Sequence, residues 1–252
     1  MQQQSLNRIA PPPADLLAGA SLFLDFDGTL VEMAPRPDAV VVDEPLRLLM
    51  RDLLRALDGR LAIITGRSIA QIGGLFGDLR TAVSGSHGLE FCWADGRRAA
   101  PDAPAWLPGA YVQARALAEA NEGVVIEEKP FGVALHYRLR PEAEAACHAL
   151  ATAIAEQGGG VLQPGKMMVE VRPAGDDKGS AVRRFMADPA MAGTVPIFIG
   201  DDLTDEPAFV AARELGGHGI LVGPDRDTAA NFALGSVSET LAWLRAALGD
   251  HE

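Results

Sequence analysis

The chain is expected to fold as an α/β protein, a doubly wound parallel-sheet core interrupted by an inserted α+β segment. Three observations predict this. Short apolar runs that each lead into a polar residue, at 21–25 (SLFLD), 61–65 (LAIIT) and 196–201 (PIFIGD), read as strands buried on both faces, which lack the alternation of half-exposed ones. Stretches with helical spacing separate them. Between residues 101 and 174 the pattern changes to helix, strand, strand, helix, strand, strand, an order suited to an antiparallel sheet with helices on one face.

Taken in order, residues 1–13 read as a loose arm, since Pro11, Pro12 and Pro13 donate no backbone hydrogen bond and favour an extended form. Residues 21–25 make the first strand. Leu46, Leu49, Leu53, Leu54 and Leu57 recur at helical spacing over 45–57, and Gly59 stops that helix. Residues 61–65 make the second strand, Ser68 is placed to cap the next helix, and 82–84 make a third strand entering the turn-rich SGSHG. The prolines from Pro101 to Pro108 mark a boundary. The insertion then reads as helices over 111–120 and 142–156 and strands over 124–128, 133–139, 161–163 and 168–172. From Asp176 the first pattern returns, with helices over 178–186, 207–214 and 239–248 and strands over 196–200 and 219–222. The expected division is 1–104 and 175–252 for the core and 105–174 for the insertion.

A chain of 252 residues accommodates one large domain or a domain with a smaller insertion. Its hydrophobic and charged fractions, 48% and 22%, are those of a soluble globular protein. The net charge of -12 argues against nucleic acid and anionic membranes as partners. It also requires any phosphate site to carry its own positive charge, from a metal, Lys, Arg or a helix N-terminus. Cys92 and Cys147 form no CxxC pair, which argues against thiolate–zinc chemistry. The first residues lack a basic start followed by an apolar stretch, and no apolar run approaches the ~20 residues of a membrane span. A cytoplasmic enzyme is expected.

In an open parallel sheet, ligands bind outside the carboxyl ends of the strands. The polar residues that end the three core strands therefore converge there. In Asp25-Phe26-Asp27-Gly28-Thr29, two carboxylates at i and i+2 repel, so they share a proton or bracket a cation. Their division into an ionised nucleophile and a protonatable acid/base follows. Alone, the motif also reads as a strand-end turn with solvated aspartates. Gly200-Asp201-Asp202-Leu203-Thr204-Asp205-Glu206 adds hard oxygen ligands suited to Mg²⁺. Asp201, directly after the strand, is the better ligand, and Asp205 and Glu206 also read as an acidic helix start. Thr65, Gly66 and Arg67 offer a hydroxyl, a flexible backbone and a helix start for a phosphate oxygen. Lys178 can neutralise Asp25 and phosphate, although a lone lysine there more often reads as a surface residue.

Together the four elements resemble the signature of the haloacid dehalogenase superfamily. DFDGT is similar to its first motif, Thr65 to its second, Lys178 to its third and GDDLTDE to its fourth. The resemblance implies a Rossmann-like core, and the αββαββ insertion resembles a type IIB cap. It implies Asp25 as nucleophile, Asp27 as acid/base, and Asp25, Asp27 (through its carbonyl) and Asp201 as ligands of Mg²⁺. Asp202 and Asp205 then lie around the metal, Asp202 assisting through its water shell or holding Lys178. SGSHGLE at 84–90, Glu127 and Lys129 followed by LHYR at 135–138, and Gly165-Lys166 followed by VEVRP at 169–173 resemble the trehalose-6-phosphate phosphatase family. That resemblance implies Gly66, Arg67, His87, Glu127, Lys129, Arg138, Lys166 and Glu170 as substrate-binding residues. It implies a cap that closes over the sugar, and a functional pairing with a trehalose-6-phosphate synthase. Pro130 departs from the small or basic residue expected there. His87 and His136 also read as structural, and Arg67 and Arg172 as phosphate or hinge residues. Other type IIB sugar phosphatases or phosphomutases, acting on sucrose phosphate, mannosylglycerate phosphate or hexose phosphate, share the core motifs. A non-catalytic sugar-phosphate sensor is the alternative from another class.

Overall fold

The structure, a computed structural model, describes residues 9–34 and 36–249. The chain opens with β1 (Ala20–Leu24), α1 (Glu44–Ala56), β2 (Leu61–Ile64), α2 (Ile69–Phe76), β3 (Ala82–Gly85), β4 (Glu90–Cys92) and β5 (Arg98–Ala99). Next come α3 (Leu107–Ala120), β6 (Val125–Lys129), β7 (Gly132–His136), α4 (Glu144–Gly158), β8 (Val161–Gly165) and β9 (Met168–Arg172). It ends with α5 (Lys178–Met186), β10 (Val195–Gly200), α6 (Glu206–Glu214), β11 (His218–Val222), β12 (Phe232–Leu234) and α7 (Val237–Ala247).

Two compact units result. One comprises the residues up to Met33, Val41–Ala99 and those from Asp177 onward; the other comprises Ala34–Val40 and Ala100–Asp176. Ala34–Val40 and residues 100–104 and 175–176 therefore group with the insertion, whereas the sequence assigns 1–104 and 175–252 to the core.

The first unit is built on an eight-stranded sheet of order β12-β11-β10-β1-β2-β3-β4-β5. It is parallel from β12 to β3, and β4 and β5 add antiparallel strands at one edge. Every residue of β1 is buried, so its side chains alternate between two apolar layers. On one face Phe23, Ala62, Ile64, Phe198 and Leu221 pack with Val182 and Phe185 of α5 and Ala208 and Phe209 of α6. The alternate residues Leu22, Leu24, Ile63, Ile197 and Ile199 are equally buried, as a sheet covered on both faces requires. The inward face of α1 is Leu46, Leu49, Met50 and Leu53, and Asp43 caps its start by accepting from Leu46 N at 2.9 Å. Ser68 and Gln71 form a capping box on α2, as the sequence suggests for Ser68.

The second unit has a four-stranded antiparallel sheet of order β6-β7-β9-β8. Val133, Leu135, Val169 and Val171 on one face pack against Ala110 and Ala114 of α3 and Cys147, Ala151 and Ile154 of α4. Alternation turns Glu127, Lys129, Ala134, His136 and Glu170 to the opposite face, where Glu127, Ala134 and Glu170 stand in register across three strands. Pro130 falls after β6 ends, where a missing N–H costs the ladder nothing.

Further expectations differ. The second hairpin strand ends at His136 rather than 139, so Arg138 lies in the turn beyond it. The sequence reading lacks β4, β5 and β12. The described part of the arm is anchored rather than loose. Prolines keep their carbonyls, and Pro12 O accepts from Trp243 Nε1 at 3.1 Å while Ala10 O accepts from Ala233 N at 3.0 Å. Residues 1–8 of that arm lie outside the described residues.

Candidate active site

β1 is the strand at which the sheet order reverses, with β10 on one side and β2 on the other. Ligand crevices form at such a point, beyond the carboxyl ends of the strands. Asp25 directly follows β1, Thr65 follows β2 and Asp201 follows β10. Asp25 N donates to Ile199 O at 2.9 Å, which continues the ladder and fixes the residue. Phe26 is fully buried. Gly28 turns the chain at φ +88, and a Cβ there would lie 2.3 Å from Asp201 Oδ2. Only glycine allows both this turn and this approach of the two acidic loops.

Lys178, the first residue of α5, reaches across to them. Its Nζ donates to Asp25 Oδ1 at 2.7 Å and to Asp205 Oδ1 at 2.6 Å. Asp177 and Ser180 form a capping box that holds this helix start. The other oxygen of Asp205, Oδ2, accepts from the amides of Asp201 at 2.9 Å and Asp202 at 2.8 Å. The role of holding Lys178 therefore falls to Asp205 and not to Asp202, whose Oδ1 accepts from Leu203 N instead.

Burial pushes the Asp25 carboxyl well above its ordinary value. Lys178 pulls it down, and Asp205 and Asp201 push it further up. Burial also works against the Lys178 ammonium, but Asp205 and Asp25 outweigh it and hold the ammonium charged, above its ordinary value. Oxygens of Asp25, Asp201 and Asp205 lie within 4.8 Å of one another. One ammonium does not balance three carboxylates, and an all-oxygen donor set suits a hard cation. Because Asp205 is committed to Lys178 and to two amides, Asp25 and Asp201 are the carboxylates suited to hold that cation.

Beyond β2, Thr65 is buried and its Oγ1 accepts from Arg67 N at 3.2 Å. Gly66 faces the His87 ring, and a Cβ there would lie 2.5 Å from His87 Nε2. His87 N donates to Thr65 O at 3.0 Å, with His87 itself in the left-handed region at φ 57. Arg67 turns to Asp27: Nε donates to Oδ2 at 2.7 Å and Nη2 to Oδ1 at 2.8 Å. The structure thus gathers Asp25, Lys178, Asp201 and Asp205 into one cluster, and places Asp27 beside it in a pair with Arg67.

In the second unit, Lys129 Nζ donates to Glu170 Oε2 at 2.5 Å, with both residues buried. Glu127 Oε2 lies 3.0 Å from His136 Nε2. Arg138 and Lys166 meet at the rim, where Arg138 Nη2 donates to Lys166 O at 2.9 Å. The Arg172 guanidinium donates to Gln163 Oε1 and to the carbonyls of Pro173 and Asp176. That is the position of a residue that fixes the exit from β9.

The model of the trehalose-phosphatase family matches residues 23–238. The chain belongs to the trehalose-phosphatase family. Two relatives described as trehalose-phosphate phosphatases match over 87% of their own length. Trehalose-6-phosphate phosphatase of Escherichia coli (strain K12) is 37% identical over 232 residues, covering 91% of this chain and 87% of that one. A probable trehalose-phosphate phosphatase of Sinorhizobium fredii is 39% identical, covering 90% and 87%. A solved trehalose-6-phosphate phosphatase related protein is 29% identical, covers 89% of this chain and 95% of its own, and superposes with a TM-score of 0.78. The C-terminal domain of a C. albicans trehalose-6-phosphate phosphatase shares the fold, with a TM-score of 0.81 over 96% of this chain and 98% of that one. Family membership makes the protein a phosphatase.

For this trehalose-phosphatase family member, sequence reasoning read Glu206 only as part of an acidic helix start and missed Arg226, and the two together hold the loop after β10. Glu206 accepts from Thr228 Oγ1 and Ala229 N, both at 2.8 Å, and pairs with Arg226. Arg226 Nη2 also donates to Asp202 O at 2.9 Å. Arg226 stands in no motif, and only the fold brings it to the acidic loop.

Proposed function

We propose that the protein hydrolyses trehalose 6-phosphate to trehalose and phosphate, with Mg²⁺ and through an aspartyl-phosphate on Asp25. The observation that carries this reading is the buried Asp25 at the end of β1, bonded to Lys178 and beside Asp201. Asp25, Asp201 and the Asp27 carbonyl would hold Mg²⁺. When bound, that ion neutralises the clustered carboxylates and withdraws charge from phosphate oxygens.

Lys178 and Thr65 fix the phosphoryl oxygens, in chemistry that rests on positioning and charge neutralisation. An Asp25 oxygen forms the new bond to phosphorus as the bond from phosphorus to the sugar oxygen breaks. Asp27 gives its proton to that departing oxygen. It then takes a proton from the water that attacks the acyl phosphate, which frees phosphate and regenerates Asp25. Gly66 and His87 shape the phosphate side, and Arg67 holds the Asp27 carboxyl. Glu127, Lys129, Arg138, Lys166 and Glu170 present the donors and acceptors that a polyhydroxylated sugar needs. Asp202 and Asp205 order the metal loop.

A trehalose-6-phosphate synthase would supply the substrate. Two free cysteines fit a reducing cytoplasmic setting. Among the described residues, no helix is long and apolar enough to cross a membrane.

Phosphate release from a panel of trehalose, sucrose, mannosylglycerate and hexose phosphates, with and without Mg²⁺, tests the reading. Trehalose 6-phosphate should be hydrolysed at the highest kcat/KM, and chelation should stop it. A preference for another sugar phosphate would overturn the substrate, and metal-independent release would overturn the cofactor.

A further inference from the structure

The following rests on the reading of Asp27 as the acid/base. Its carboxylate is absent from the cluster formed by Asp25, Asp201 and Asp205 and is instead gripped at both oxygens by one guanidinium, at 2.7 and 2.8 Å. That guanidinium is itself fixed. The Arg67 side chain is only 10% exposed. Its guanidinium carbon lies 5.4 Å from the centre of the Phe26 ring, and Phe26 is held edge-on by Phe76. The Arg67 backbone is tied at both ends, its N–H to Thr65 Oγ1 at 3.2 Å and its carbonyl to Ser86 N at 2.8 Å. The loop after β2 thus clamps the loop after β1, across 40 residues of sequence.

We propose that Arg67 is a positioning residue for the first chemical step: it sets the direction of the Asp27 carboxyl relative to the leaving oxygen. A two-point grip uses the lone pairs that face the guanidinium and leaves the carboxyl one orientation, while each oxygen keeps a second lone pair, on the far side, to carry the proton; a lone hydrogen bond would let the group swivel. General-acid catalysis needs its proton within hydrogen-bond reach of the departing atom. It matters in proportion to how badly the leaving group needs that proton. A sugar alkoxide needs it strongly and a dinitrophenolate hardly at all. A residue that instead binds the phosphoryl group would serve every ester alike.

The test is kcat/KM, which reports the steps up to loss of the alcohol, measured for a sugar phosphate and for phenyl, nitrophenyl and dinitrophenyl phosphates. The enzymes are wild type, Arg67→Met, Arg67→Lys, Asp27→Asn and the double variant Arg67→Met/Asp27→Asn. Arg67→Met should lower kcat/KM about 100-fold on the sugar phosphate, the scale of a general acid's contribution, and no more than about fivefold on dinitrophenyl phosphate. Arg67→Lys should recover only part of the loss, because one ammonium cannot grip both oxygens. The double variant should be no slower than Asp27→Asn. A loss of equal size across the series overturns the proposal, and so does a loss that multiplies with that of Asp27→Asn. The aryl esters separate these outcomes even if trehalose 6-phosphate proves not to be the preferred substrate.

Discussion

A carboxylate sealed beneath the end of a strand is reactive only while positive charge stands beside it. Asp25 has that in the Lys178 ammonium, and Lys178 is in turn kept charged by Asp205 and Asp25. Asp25→Asn should therefore abolish phosphate release from every ester while leaving the melting temperature within a few degrees of wild type. Wild-type-like turnover in that variant would remove the mechanism. Lys178→Met leaves two buried carboxylates without their shared cation. It should cost about 3–5 kcal/mol of stability, read by urea denaturation in metal-free buffer. A loss near zero would mean the ion pair is not formed in solution. Asp25, Lys178 and Asp201 were legible in the sequence because each sits directly at the end of a strand or the start of a helix, and Asp27 because it stands two residues beyond Asp25. The work of Asp205 was not legible. Its spacing from Asp201 also suits a plain helix start, and only folding shows its two oxygens shared between Lys178 and two backbone amides.

The apolar strands of the core were readable as elements because burial on both faces leaves an unbroken hydrophobic run. β4, β5 and β12 were not, since at two or three residues each they are too short to show a period, and pairing defines them more than composition does. The loop after β10 belongs to this scale too. The Glu206–Arg226 pair joins it to the segment between β11 and β12, with Arg226 holding the carbonyl next to Asp201. Arg226→Ala should loosen that loop and raise the Mg²⁺ concentration needed for half-maximal activity by about tenfold, within the range typical of groups that orient metal ligands. Isothermal titration with Mg²⁺ checks it without turnover. An unchanged binding isotherm would make the pair a surface contact of no consequence for the metal.

At the scale of the molecule, the two units divide apolar packing and charge in different ways. The insertion buries one sheet face under α3 and α4 and sets its charged residues on the other. That face was foreseen in part: Glu127, Lys129 and Glu170 stand together, while Arg138 and Lys166 lie in turns beyond the strands, where alternation gives no information about direction. If these residues read the sugar, Glu127→Ala and Glu170→Ala should lower kcat/KM on trehalose 6-phosphate at least about tenfold more than on p-nitrophenyl phosphate, which has no sugar to lose contact with. Equal losses on both would detach this face from substrate choice.

All five residues of β1 pair with β10, a strand from the far end of the chain. During synthesis β1 and β2 leave the ribosome while β10 has yet to be made, and the whole insertion is translated in between. For that interval one side of a largely apolar strand has no neighbour, and unpaired apolar edges recruit other chains. The half-made protein is thus its most aggregation-prone form, and a product cut short inside the insertion would keep that open edge for good.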